Sequence, residues 1–211
     1  MVALDRMVYY SHPMNKIAEY DTREHLLAIG ERLCLHRGFV GMGLSELLKT
    51  AEVPKGSFYH YFRSKEAFGV AMLERYYTAY HQQLTQHFAA PGTTAREKLL
   101  SHYEQTLQQF CQHDRINGCL TVKLSAEVCD LSEDMRLALD RGAAKIIALL
   151  AQSLEQGRVD GSLTFKTDAL TTAHVLYALW IGASLQAKIS RSALPLESAL
   201  AHVRELLGAP D

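Results

Sequence analysis

Apolar positions recur every three or four residues from about residue 21 to the end of the chain, and the runs between breakers are too long for strands. Asp21 to Gly38 reads as a helix: Asp21 caps it, Glu24 stands three residues on as in a capping box, and Gly38 suits a left-handed stop. Its apolar face carries Leu26, Ile29, Gly30 and Leu33, with Leu27 and Cys34 beside it. Leu44 to Ala51 forms a second, short helix with Leu44, Leu47 and Leu48 inward. Residues 52–54 then turn the chain and place Pro54 at the first position of the next helix. Ser64 caps a helix from Lys65 to about His87, ended by Pro91 and Gly92. Thr94 and Glu97 form another capping box, opening a helix to about Gln112. Residues 113–118 read as a loop and Cys119 to Cys129 as a short helix. Ser132, followed by Glu133 and Asp134, caps a helix to about Gln156, and residues 157–166 form a turn-rich connection. Asp168 begins an apolar helix to about Ile189, and Pro195 opens a last helix that stops at Gly208.

No strand, internal repeat or low-complexity tract stands out, so the pattern predicts an all-α chain of about nine helices. Three short ones come first, then a long connector, then five more. Residues 1–20 lack a helical period and read as a flexible arm, with Met14 a natural alternative start. Residues 21–67 group as a small three-helix unit and residues 68–211 as a larger helical part.

Residues 53–65 are unlike the rest. They hold Lys55, Arg63 and Lys65 with no carboxylate, and the rings of Tyr59, His60 and Tyr61 between Phe58 and Phe62. A short helix that turns Phe58 and Phe62 inward leaves Lys55, Ser57, Tyr59 and His60 outward, which suits a DNA groove. Two short helices joined by a tight turn, with this polar and aromatic side on the second, form a helix-turn-helix pattern.

Composition narrows the rest. Hydrophobic residues make up 48% of the 211, enough for a sizeable core. The formal charge of -1 means that any electrostatic footprint on DNA must be local. Four cysteines, Cys34, Cys111, Cys119 and Cys129, have neither disulfide-framework nor zinc-pair spacing, which points to a reducing cytoplasm. No secretory signal is recognisable, and the most apolar stretch is interrupted by Thr171, Thr172, His174, Gln186 and Lys188, which disfavours a membrane span.

The segment Gly-Ser-Phe-Tyr-His-Tyr-Phe-Arg-Ser-Lys-Glu-Ala-Phe at 56–68, together with the order of elements, resembles the TetR family of transcriptional repressors. Residues 117–130, 176–180 and 185–189 extend the likeness, which starts near Met14, to a branch of that family that senses electrophiles and reactive chlorine. That branch controls detoxifying reductase and glyoxalase genes. The resemblance implies a homodimer on a palindromic double-stranded operator, its recognition helices in successive major grooves. Lys55, Ser57, Tyr59, His60 and Tyr61 match the family's contact positions, and Lys65 its phosphate-binding lysine. At a helix start, Lys65 joins backbone N–H groups in attracting a phosphate. Tyr59 suits a phosphate edge-on, while Lys55 and His60 suit base edges; Gly56 lets the backbone approach closely, and Ser45 adds a phosphate contact.

Among the thiols, Cys119 opens a helix, where free N–H groups lower a thiol's pKa, and Lys123 one turn on adds positive charge. A thiolate there attacks N-ethylmaleimide, quinones, aldehydes or hypochlorous acid. Cys111 and Cys129 sit near helix C-termini, which do not favour a thiolate, and Cys34 reads as a small buried hydrophobe. Lys188 closes a stripe made by Leu170, Ala173, Tyr177, Ile181 and Ser184. From the pattern alone it snorkels to water. The resemblance instead implies that Lys188 approaches Cys119, to stabilise its thiolate or bond its oxidised sulfur.

The helices at 168–189 and 195–207 have more apolar surface than one core needs and suit a four-helix dimer interface. A repressor induced by a reversibly bound ligand in the helical pocket is the nearest alternative. An enzyme would need a clustered acid, base or nucleophile, and the ten histidines are scattered. A metal site would have Cys111, His113 and Cys119 but no local fourth ligand. Neither a cofactor nor a metal is expected.

Overall fold

The computed structural model of the chain describes residues 22–113 and 119–208, so the predicted arm, the Asp21 cap and most of the loop after His113 lie outside the described residues. Among the described residues there are nine helices: α1 Thr22–Gly41, α2 Leu44–Ala51, α3 Lys55–Tyr61, α4 Lys65–Ala89, α5 Ala95–His113, α6 Leu120–Val128, α7 Glu133–Val159, α8 Ala169–Ser190 and α9 Leu194–Leu206. The chain is all-α. Its extended pairing among these residues is a single antiparallel bridge between Thr164 and Gly208.

The caps form where their chemistry is local, each side chain accepting from an N–H three residues on. Ser64 accepts from Ala67 at 3.0 Å. Ser132 accepts from Met135 at 3.2 Å, and Asp168 from Thr171 at 2.9 Å. The capping box at α5 closes both ways. The Thr94 N–H donates to Glu97 at 2.8 Å, and the Glu97 N–H to the Thr94 hydroxyl at 3.2 Å.

Several boundaries differ from the sequence pattern by one to three residues. Pro54 is extended (φ -61°, ψ 147°) and precedes α3 as its cap, where the sequence predicts it as the first helical residue. The chain of α7 coils on to Val159. At Gly38, the predicted stop, α1 does break (φ 78°, ψ 173°), and a short helical turn follows to Gly41. The residues after the break are held from far along the chain: the carboxylate of Glu127, on α6, accepts from the N–H groups of Phe39 at 3.0 Å and Val40 at 2.5 Å.

The front of the molecule packs Leu26, Leu27, Leu47, Phe58 and Phe62 against Phe68 of α4, all buried. The Phe58 ring lies 5.3 Å from Phe62 and 5.6 Å from Phe68. One aromatic cluster therefore fixes α3. The long α4 then runs from that cluster along α7. Gly142 on α7 permits the close approach, since a Cβ there would stand 2.2 Å from the Tyr77 ring. Helix α8 packs between α7 and α9. Among the described residues no helix is long and apolar enough to cross a membrane.

Candidate functional site

At α3 the helical period separates two faces. Phe58 is fully buried, while Tyr59 and Tyr61 are 50% and 40% exposed, and Lys55, Gly56 and His60 lie at the surface with Ser57 half-buried. The Lys55 ammonium sits over the Tyr59 ring at 5.9 Å, and His60 packs edge-on against Tyr61 at 4.9 Å. Ser45 on α2 is exposed as well. These side chains form one polar and aromatic surface on a rigid apolar base.

Lys65 is placed differently. Its ammonium donates to the Phe39 carbonyl at 2.8 Å and lies over the Phe39 ring at 4.8 Å. It ties α4 to the end of α1, and a phosphate would compete with that carbonyl.

The same end of α1 meets α6. Glu127 accepts two backbone N–H groups there, Lys65 donates to the carbonyl beside them, and the Lys123 ammonium reaches the His36 carbonyl at 3.4 Å. A Cβ on Gly38 would fall 2.6 Å from the Glu127 carboxylate, so glycine is needed both for its φ and for the space. Ser132, which caps α7, donates to Glu66 on α4 and makes a second tie. Sequence reasoning does not find Glu127, because its partners are 87 and 88 residues away.

Helix α6 begins at Cys119. Its sulfur accepts from the Val122 N–H at 3.5 Å and so serves as the cap. Helix position alone predicts a lowered pKa, and here the structure requires a correction. Burial raises the Cys119 thiol above its ordinary value, and bonds from the Val122 N–H, the Tyr76 hydroxyl and Thr121 offset that only in part. The Lys123 ammonium is turned to the His36 carbonyl at the end of α1. Cys111 and Cys129 are exposed, whereas Cys34 is buried and burial pushes its thiol up to about 12.

Cys119 also lies on the wall of a cavity of ≈ 430 Å³ between α4, α5, α7 and α8. Tyr76, Tyr80, Tyr103, Tyr177 and Trp180 line it, and beside them Tyr77 bonds Thr121 at 2.6 Å between hydroxyls. The sequence marks Tyr76, Tyr77 and Tyr80 as a run along α4, but not the wall they build with residues of α5 and α8. Tyr177, Ile181 and Ser184 of the apolar stripe face this cavity. Lys188 follows at the exposed end of α8. Burial lowers its ammonium pKa, Lys123 lowers it further, and Cys119 acts in the opposite sense, so these three groups share one electrostatic neighbourhood.

The other side of α8 presents Thr171, Val175, Ala178, Gly182, Leu185 and Ile189 at alternating steps of four and three residues, all exposed. Leu194 on α9 continues it at 64% exposure. Among the described residues no three His, Cys, Asp or Glu side chains converge as metal ligands.

Comparison with known proteins gives the family. Residues 26–72 match the family described as "Bacterial regulatory proteins, tetR family", and residues 95–203 match "Tetracyclin repressor-like, C-terminal domain". The chain is 69% identical over 197 residues to the HTH-type transcriptional repressor NemR of Escherichia coli K12, covering 93% of this chain and 99% of that protein. It is 32% identical to the transcriptional regulator AcuR of Cereibacter sphaeroides, over 83% of this chain and 80% of the other. The crystal structure of reduced E. coli NemR superposes with a TM-score of 0.87 at 68% identity, covering 90% of this chain and 99% of that one.

Proposed function

We propose, for a chain that belongs to the TetR family and is a NemR-like transcriptional repressor, that it holds a palindromic operator as a homodimer and releases it when Cys119 is modified by an electrophile or oxidant. The genes it controls would then be the reductase and glyoxalase class that removes such compounds. The observation that carries this reading is the build of α6. The reactive sulfur caps one end of a nine-residue helix, and the other end, at Glu127, grips the DNA-binding unit.

Conjugate addition to N-ethylmaleimide breaks the S–H bond and forms an S–C bond at the carbon β to a carbonyl. The C=C pair moves toward the carbonyl oxygen, and the proton ends on the α carbon. The added group crowds the space in which the sulfur caps the Val122 N–H, so α6 loses its start. Hypochlorous acid would instead give up chlorine to the sulfur as water is formed with the thiol proton. The Lys188 amine then displaces chloride and sheds a proton to leave an S–N bond. Its lowered pKa favours that reactive neutral amine.

A shift at α6 displaces Glu127 and moves one DNA-binding unit against its partner's. Recognition helices must stand about 34–36 Å apart, or a multiple of that, to fit successive grooves. A coupling of about 1–3 kcal/mol changes operator affinity roughly 5- to 150-fold. The exposed seam of α8 with Leu194 of α9 supports the homodimer, since such a seam buries itself against a second copy.

At the groove, Lys55 and His60 read bases, Gly56 allows close approach, and Ser45, Ser57, Tyr59 and Tyr61 position the backbone of the DNA. Because Tyr59 stands out from a fixed helix, Tyr59→Ala is expected to weaken operator binding about tenfold by removing one phosphate bond. Thermal unfolding of the same variant should match wild type; a large loss of stability would place Tyr59 in the core instead.

The test of the sensor reading measures modification and release together. As N-ethylmaleimide is titrated, operator release should track Cys119 occupancy by mass spectrometry, while the exposed Cys111 and Cys129 react without effect. Because burial keeps the Cys119 thiol protonated near neutrality, its alkylation rate should rise about tenfold per pH unit from pH 7 to beyond about 8.5. A rate already flat above pH 7 would mean a depressed pKa. Release that tracks Cys111 or Cys129 would move the sensor there.

A further inference from the structure

The stretch 53–65 holds the cations Lys55, Arg63 and Lys65 and no carboxylate. Lys65 is committed to the carbonyl and ring of Phe39 at the end of α1. Arg63, two residues earlier, is placed the other way. Its neighbours Phe62 (φ -134°, ψ 117°) and Ser64 (φ -155°, ψ 166°) are both extended. In extended chain successive side chains point to opposite sides. Phe62 is buried, its ring 5.3 Å from Phe58 and 5.0 Å from Phe68, with the Arg23 guanidinium over it at 5.5 Å. Arg63 therefore points away from that core. It is exposed, as are Tyr59, His60 and Tyr61 of α3.

Nothing on the protein neutralises Arg63. Glu66, the carboxylate three residues on, accepts from the Ser132 hydroxyl. None of the ion pairs among the described residues includes Arg63. An exposed guanidinium on a fixed stretch of backbone offers parallel N–H donors, which match the oxygens of a phosphate. Arg63 also stands one residue ahead of Ser64, the cap of the 25-residue α4, where the helix dipole favours an anion.

We infer that Arg63, in place of Lys65, is the phosphate clamp beside the recognition helix, and that it fixes α3 on the duplex through the DNA backbone rather than through bases. The inference rests on the operator-binding part of the proposed function and is independent of Cys119. It separates two tasks at the start of α4: Arg63 holds DNA, and Lys65 holds α4 to α1 beside the residues that Glu127 grips.

Salt dependence distinguishes these tasks, because each phosphate contact releases counterions and adds about 0.9 to the slope of log affinity against log salt. A homodimer carries Arg63 twice, so Arg63→Gln should flatten that slope by about 1.8. Between about 50 and 200 mM salt, wild type should then lose roughly tenfold more affinity than the variant. The flattening should be equal on the operator and on a random-sequence duplex, since a phosphate contact carries no sequence information. Arg63→Lys keeps the charge and should keep the slope. Lys65→Gln should lower the thermal midpoint by about 2–4 °C and leave the slope as in wild type. An unchanged slope in Arg63→Gln, a flattened one in Lys65→Gln, or a loss confined to the operator would each overturn the assignment. Were wild type to bind neither duplex, the operator-binding reading itself would fall and this one with it, a result distinct from the other three.

Discussion

Replacing Glu127 with alanine should leave a repressor that still binds N-ethylmaleimide at Cys119 but no longer answers to it. The carboxylate accepts two adjacent backbone N–H groups at the break in α1, and the Lys65 ammonium takes the carbonyl beside them. Charge-assisted bonds of this kind contribute about 1.5–3 kcal/mol each when well formed, but this corner is partly solvated, and about 2 kcal/mol in all is a fair expectation. For a chain of this length that lowers the thermal midpoint by about 4–8 °C, leaving a folded protein at assay temperature.

The larger effect is on coupling. With the grip lost, movement of α6 no longer reaches α1, and the roughly 5- to 150-fold drop in operator affinity on alkylation should shrink to less than about twofold. Basal affinity should also fall, because the DNA-binding units are held less firmly. Gly38→Ala approaches the same joint from the other side, since its Cβ would stand 2.6 Å from the Glu127 carboxylate at a φ of 78°. If Glu127→Ala kept the full alkylation response, α6 would not be the transmission element.

What the sequence reveals and what it conceals divide by distance along the chain. Ser64, Ser132, Asp168 and the Thr94–Glu97 box are legible because a cap bonds an N–H three residues away. The inward Phe58 and outward Tyr59 and His60 are legible for a similar reason, since helical period alone separates them. Cys119 at the start of a helix is legible; its raised pKa is not, because residues near 76–80 and 177–184 supply the burial. Local charge also misleads: Lys65 and Lys123 look free for a phosphate and a thiolate, yet each is turned to a carbonyl at the end of α1. Glu127 gives no local sign at all. Its role appears only when residues 39 and 40 are brought to it.

Cys119→Ser should abolish the response while preserving the fold. Serine is a better helix cap than cysteine, so its hydroxyl takes over the Val122 N–H, and α6 should start as in wild type. Serine is not alkylated by N-ethylmaleimide, whereas Cys111 and Cys129 remain exposed and reactive. The decisive measurement is operator affinity of wild type and Cys119→Ser, each with and without N-ethylmaleimide, at one fixed salt concentration because phosphate contacts make binding salt-dependent. Wild type should lose affinity roughly 5- to 150-fold on treatment and the variant less than about twofold. A variant that releases the operator as readily as wild type would show that Cys119 is not the switch.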